Sequence, residues 1–97
     1  MSRLRERHRL DANHDSIVAL ARKFGMQVFS APPLDLWAGI NGRWYPVEIK
    51  TPEREGKSDE FTPDQIEFFT KCRLFGTRWL VWRKETDVFN DYQELSK

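Results

Sequence analysis

Asn41-Gly42, set between the runs 34–40 and 43–50, constrains this chain more than any other pair of residues. Both residues adopt left-handed backbone readily, and a two-residue hairpin loop of the type I′ kind needs that at both central positions. Counting outward from such a loop, Ile40 faces Arg43, Gly39 faces Trp44, Trp37 faces Pro46 and Asp35 faces Glu48. Hydrogen-bonded and non-bonded pairs alternate from Ile40/Arg43, so Trp37/Pro46 and Asp35/Glu48 are both non-bonded pairs. Pro46 therefore removes no bond from this ladder. Asp35 and Glu48 stand with Cα atoms ~4.5 Å apart, and Lys50, two residues on, shares their face. The other face carries Leu34, Leu36, Ala38, Ile40, Tyr45, Val47 and Ile49, a continuous apolar surface. One face makes core and the other gathers charge.

Around this hairpin the pattern predicts α-β-β-β-α-β, a mixed sheet flanked by helices in an α/β (α+β) arrangement. "DANHDSIVALARKFG" is a helix capped by Asp11 or Asn13, with Ile17, Leu20, Ala21 and Phe24 at helical spacing and Gly25 as the stop. Residues 26–31 alternate as a short strand, and Pro32-Pro33 ends it. The charged stretch 52–60 has no periodicity and reads as a mobile loop. "FTPDQIEFFTKCRLFG" is the second helix, with Thr62 as N-cap, Pro63 at N1 and Gln65 at N3. Ile66, Phe69 and Cys72 are its expected inward residues, and Gly76 its stop. Residues 77–83 form the last strand, and "ETDVFNDYQEL" a short closing helix.

A chain of 97 residues makes one domain, 1–97. Sixteen basic against 15 acidic residues leave a net charge of +1, so charge as a whole does not announce a nucleic-acid binder. The first nine residues are different: Arg3, Arg5, Arg7 and Arg9 make a basic, flexible arm. With Cys72 the only cysteine, neither an internal disulfide nor a thiolate metal site can form. No apolar run approaches ~18 residues and no signal-peptide core is present, so no membrane span and a cytoplasmic location are expected.

Two acids opposed on a sheet repel, and Lys50 offsets part of that. One reading is a surface charge triad, Asp35–Lys50–Glu48, of little energetic weight. The other is a divalent-cation site. Mg²⁺ binds one or two carboxylates and keeps several waters, and a lysine beside it stabilises developing negative charge. Such parts hydrolyse a phosphodiester. Trp37 and Trp44 share this face and either stack on splayed bases or pack under a loop or in a dimer interface. Lys57 and the basic arm are further candidates for contact with nucleic acid.

Asp35 followed by Glu48-Ile49-Lys50 resembles the signature of the PD-(D/E)XK nucleases. "DANHDSIVALARKFGMQV", "DLWAGINGRWYPVEIK" and "FTPDQIEFF" resemble, in order and spacing, small phage and prophage proteins of the VRR-NUC branch, which is similar to the Holliday-junction resolvases. The resemblance spans roughly residues 9 to 83 and implies a restriction-endonuclease-like fold. It also implies a Mg²⁺- or Mn²⁺-dependent endonuclease acting on branched or structured DNA, as a homodimer in the host cytoplasm. Asp35, Glu48 and the Ile49 carbonyl would be metal ligands, Lys50 the catalytic lysine and Gln65 an auxiliary residue, although a Thr62–Gln65 capping box also explains Gln65. The chain departs from that pattern twice. Leu34 stands where the family has proline, and Ser16 where many relatives carry a metal-contacting Glu. Asp15 and His14 beside it are either substitutes or, respectively, a first-turn acid favoured by the helix dipole and a surface or capping residue. Without the first-helix Glu, the alternative is a weak or inactive nuclease-fold module that binds DNA or a protein.

Overall fold

The computed structural model describes residues 13–30, 32 and 34–97. The candidate arm residues Arg3, Arg5, Arg7 and Arg9 lie outside the described residues. In chain order the elements are α1 (His14–Lys23), β1 (Gln27–Phe29), β2 (Leu36–Ile40), β3 (Arg43–Ile49), a 3₁₀ turn (Pro52–Arg54), α2 (Pro63–Phe75), β4 (Leu80–Trp82) and α3 (Glu85–Leu95). The four strands form one mixed sheet in the order β1-β2-β3-β4, antiparallel from β1 to β3, with β4 parallel to β3.

Asn41 (φ 51°) and Gly42 (φ 82°) both take left-handed backbone, and the register is the one the turn dictates, from Ile40↔Arg43 through Trp37↔Pro46 to Leu36↔Val47. The apolar face is buried as expected. Leu36, Ala38, Ile40, Val47 and Ile49 join Ile17, Val18 and Ala21 of α1, Val88 of α3, and Leu80 and Trp82 of β4 in a single core. Trp82 is fully enclosed there and donates its indole N–H to Asp91 Oδ2 at 2.9 Å.

Helix α2 sits on the opposite face, where Phe69 stacks on Trp79 (ring centroids 5.1 Å apart) and Phe61 meets Phe69 edge-on. Its capping box is complete. Thr62 Oγ1 accepts from Gln65 N–H, Gln65 Oε1 accepts from Thr62 N–H, and Gly76 closes the helix at φ 79°. The inward stripe differs from the expected one. Ile66 is 50% exposed, because the sheet-facing positions are Gln65, Phe69 and Cys72, which follow each other at i, i+4 and i+7. A polar residue takes the inward place in the first turn.

Two segments are shorter or tighter than the pattern predicts. Strands β1 and β4 each hold three residues rather than six or seven. The expected loop 52–60 is folded: it contains the 3₁₀ turn, and Glu60 at its end is buried, accepting from Arg83 Nε at 2.8 Å and Nη2 at 3.1 Å.

Candidate active site

Strand β2 begins at Leu36, immediately after Asp35, and this start places the first acid. The next bonded pair after Leu36/Val47 would join Leu34 to Ile49. Instead the Asp35 side chain takes that place: its Oδ2 accepts the Ile49 N–H at 2.9 Å. Glu48 reciprocates, its Oε1 accepting the Asp35 N–H at 3.2 Å. The two acids expected to face each other do so, and each is fixed by the backbone of the other strand.

The second oxygen of Glu48 collects the remaining groups. Oε2 lies 3.3 Å from Lys50 Nζ and accepts from Gln65 Nε2 at 2.9 Å. Gln65 thus does both things its position allowed, closing the capping box with Oε1 and reaching the site with Nε2. The ammonium of Lys50 also sits 5.4 Å from the centroid of the Phe61 ring, within cation–π range. Glu48 is 3% exposed. Burial, and then the charge of Asp35, push its carboxyl up to about 8, while Lys50 pulls the other way.

These contacts leave Asp35 Oδ1 without a hydrogen-bond partner among the described residues. Ile49 gives its N–H toward Asp35, and in an extended strand a residue's C=O points to the same neighbour as its N–H. Two carboxylates and one carbonyl on the same edge fit a Mg²⁺- or Mn²⁺-sized cation, which needs one or two acids and completes its shell with water. The crowding of negative charge at a buried acid is itself a reason for a cation to bind. Among the described residues no cluster of three His, Cys, Asp or Glu side chains forms a metal site; the groups that could hold a cation here are this pair with the carbonyl.

Asp15 and Ser16 are not brought to the pair. The Asp15 side chain is fully exposed, 3.3 Å from His14 Nδ1, and the Ser16 hydroxyl donates to Asn13 O. His14 departs from the expected surface role: its side chain is 14% exposed and its Nε2 is buried with no partner among the described residues. Asn13 occupies the N-cap position of α1 without capping it. Its side-chain amide donates to the carbonyls of Lys50 and Arg83, tying α1 to the ends of β3 and β4. Trp37 is half-buried and Trp44 is exposed on the site face, and Lys57 is exposed.

Phe61 and the Glu60–Arg83 pair are the contributors that sequence reasoning missed. The only signal for Glu60 was an acid next to an aromatic just ahead of a helix cap, which does not foretell a partner 23 residues away. Compared with known protein families, with curated proteins and with solved structures, the chain matches none. Among the described residues no helix is long and apolar enough to cross a membrane.

Proposed function

We propose that the chain is a PD-(D/E)XK-type, VRR-NUC-like nuclease of phage or prophage origin: a Mg²⁺- or Mn²⁺-dependent endonuclease that hydrolyses phosphodiester bonds in branched or structured DNA. The observation that carries this reading is the convergence on Glu48 of Asp35, Lys50 and Gln65 from three separate segments. Asp35, Glu48 and the Ile49 carbonyl hold the cation, which supplies charge neutralisation and a water of lowered pKa. Lys50 is kept beside the reacting phosphate by Glu48 and Phe61, and stabilises negative charge as it develops. Gln65 holds the Glu48 carboxylate in position. Trp37, Trp44, Lys57 and the basic arm contact DNA, a second copy pairs with the first, and the protein acts in the host cytoplasm.

Incubation with labelled duplex, flap and four-way-junction DNA plus Mn²⁺ tests this. Cleavage of at least one of them, lost in Lys50→Ala, is expected, whereas no cleavage at high enzyme would refute the proposal. One observation favours a second reading, a nuclease-fold module that binds without turnover: α1 brings no acid to the pair. Salt-dependent DNA binding that survives Lys50→Ala, with no metal-dependent cleavage by the wild type, selects it.

A further inference from the structure

The site face is aromatic beyond the acids, on the side away from α2. Phe29 lies opposite Trp37, and Gly39 lies between Gln27 and Trp44. Gly39 matters through what it lacks. A Cβ there would come 3.1 Å from Cζ3 of Trp44 and 3.2 Å from Cβ of Gln27. Its absence lets the indole lie across β2 and meet the Phe29 ring edge-on, at 5.1 Å and 69°. The indole is braced on one side, yet Trp44 remains 50% exposed and Phe29 48%.

Beside the indole is a depression of about 290 Å³ with Gln27, Asn41, Arg43 and Trp44 in its wall. That is at the small end of ligand pockets, which run ~300–1,000 Å³, so it suits a single ring system. An apolar partner laid here would bury the Gln27 amide unpaired, which folded interfaces rarely tolerate. A nucleotide fits both walls of the depression: base face to Trp44, base edge to Gln27. Intact duplex offers no free base face, so the strand must be unpaired.

Trp44 and Glu48 share one face of β3 four residues apart, ~13 Å at ~3.3 Å per residue, which is about four stacked nucleotides. We propose that this face binds an unpaired stretch of DNA, one base stacking on Trp44 in the Gln27–Arg43 depression while a phosphate about four nucleotides along reaches Asp35 and Glu48. The second half of this statement rests on the nuclease reading. The stacking needs neither metal nor turnover.

The test is binding of a short labelled oligodeoxythymidylate and of a blunt duplex of equal length, measured by anisotropy in chelator. The single strand is expected to bind more tightly, Trp44→Ala to weaken it about tenfold, and Trp44→Phe to retain most of the affinity. Trp44→Leu, which keeps apolar volume without the ring, replaces Trp44→Ala if the latter fails to fold. Mn²⁺ affinity, read by calorimetry, is expected to be unchanged in these variants. Equal single-strand affinity in wild type and ring-less variants overturns the proposal, as does a wild-type preference for duplex. Sedimentation that shows a wild-type dimer lost in Trp44→Ala also overturns it, because the ring would then belong to an interface between copies. Strand binding that depends on Trp44 without any Mn²⁺-dependent cleavage sinks the nuclease reading and leaves the stacking surface standing.

Discussion

Glu48 carries the largest electrostatic consequence of any single residue. Its carboxyl is raised from an ordinary 4.5 to about 8 in the folded protein, so between those pH values the native state keeps a proton that the unfolded chain has released. Stability contributed by this group therefore falls as pH rises through that window. Melting curves of metal-free protein should show it, with Glu48→Gln, which cannot titrate, giving a flatter profile. Identical slopes for the two proteins would contradict the raised carboxyl. A cation must displace the same proton, so apparent Mn²⁺ affinity should climb with pH up to about 8. Asp35 separates charge from hydrogen bonding. Asp35→Asn keeps an acceptor for the Ile49 N–H and removes the repulsion, so in chelator it should melt no lower than wild type while losing Mn²⁺ binding and cleavage. Asp35→Ala leaves that buried N–H unpaired and should be less stable than Asp35→Asn by about 1–3 kcal/mol. An Asp35→Asn protein that melts several degrees lower in chelator and still binds Mn²⁺ would return this cluster to a plain salt bridge.

At the scale of elements, the start of α2 and the segment before it act together on the site. The Thr62–Gln65 capping box fixes the first turn from which Gln65 reaches Glu48. Thr62→Ala should lower stability by about 1 kcal/mol, roughly 4–8 °C in a chain of this size. The Glu60–Arg83 pair anchors the segment that carries Phe61 to Lys50; its acid is buried, with the Glu60 side chain 4% exposed, while Arg83 keeps 20%. Arg83 holds the Glu60 carboxyl below its usual range, chiefly through its hydrogen bonds. Arg83→Met strands that charge and should cost about 3–5 kcal/mol. The double replacement Glu60→Met/Arg83→Met should recover much of this, and denaturant melts of the three proteins measure the difference.

For the whole molecule, a cation held at the proposed site would link that site to global stability. A ligand bound by the native state alone adds about 2.7 kcal/mol at a hundred times its dissociation constant. Thermal melts should therefore rise by several degrees with saturating Mn²⁺ in wild type and not in Asp35→Asn. A wild-type midpoint unmoved by Mn²⁺ would mean that the two carboxylates do not form a metal site.

The register of the β2–β3 hairpin, the division of its two faces and the caps of α2 were all legible from residue order, because each is set by interactions a few residues apart. Asn41-Gly42 imposes the turn, alternation sorts the faces, and Thr62-Pro63 with Gln65 starts the helix. The meeting of Asp35 with Glu48 followed from that register. Only the tertiary structure decided that Gln65 rather than Ile66 faces the sheet, since the rotation of α2 depends on packing against Trp79. It alone showed that Asn13 ties α1 to β3 and β4 instead of capping its own helix, and that Glu60 is buried on Arg83. These contacts join residues far apart in the chain, and their partners are chosen by the geometry of the folded layers, which no local pattern encodes.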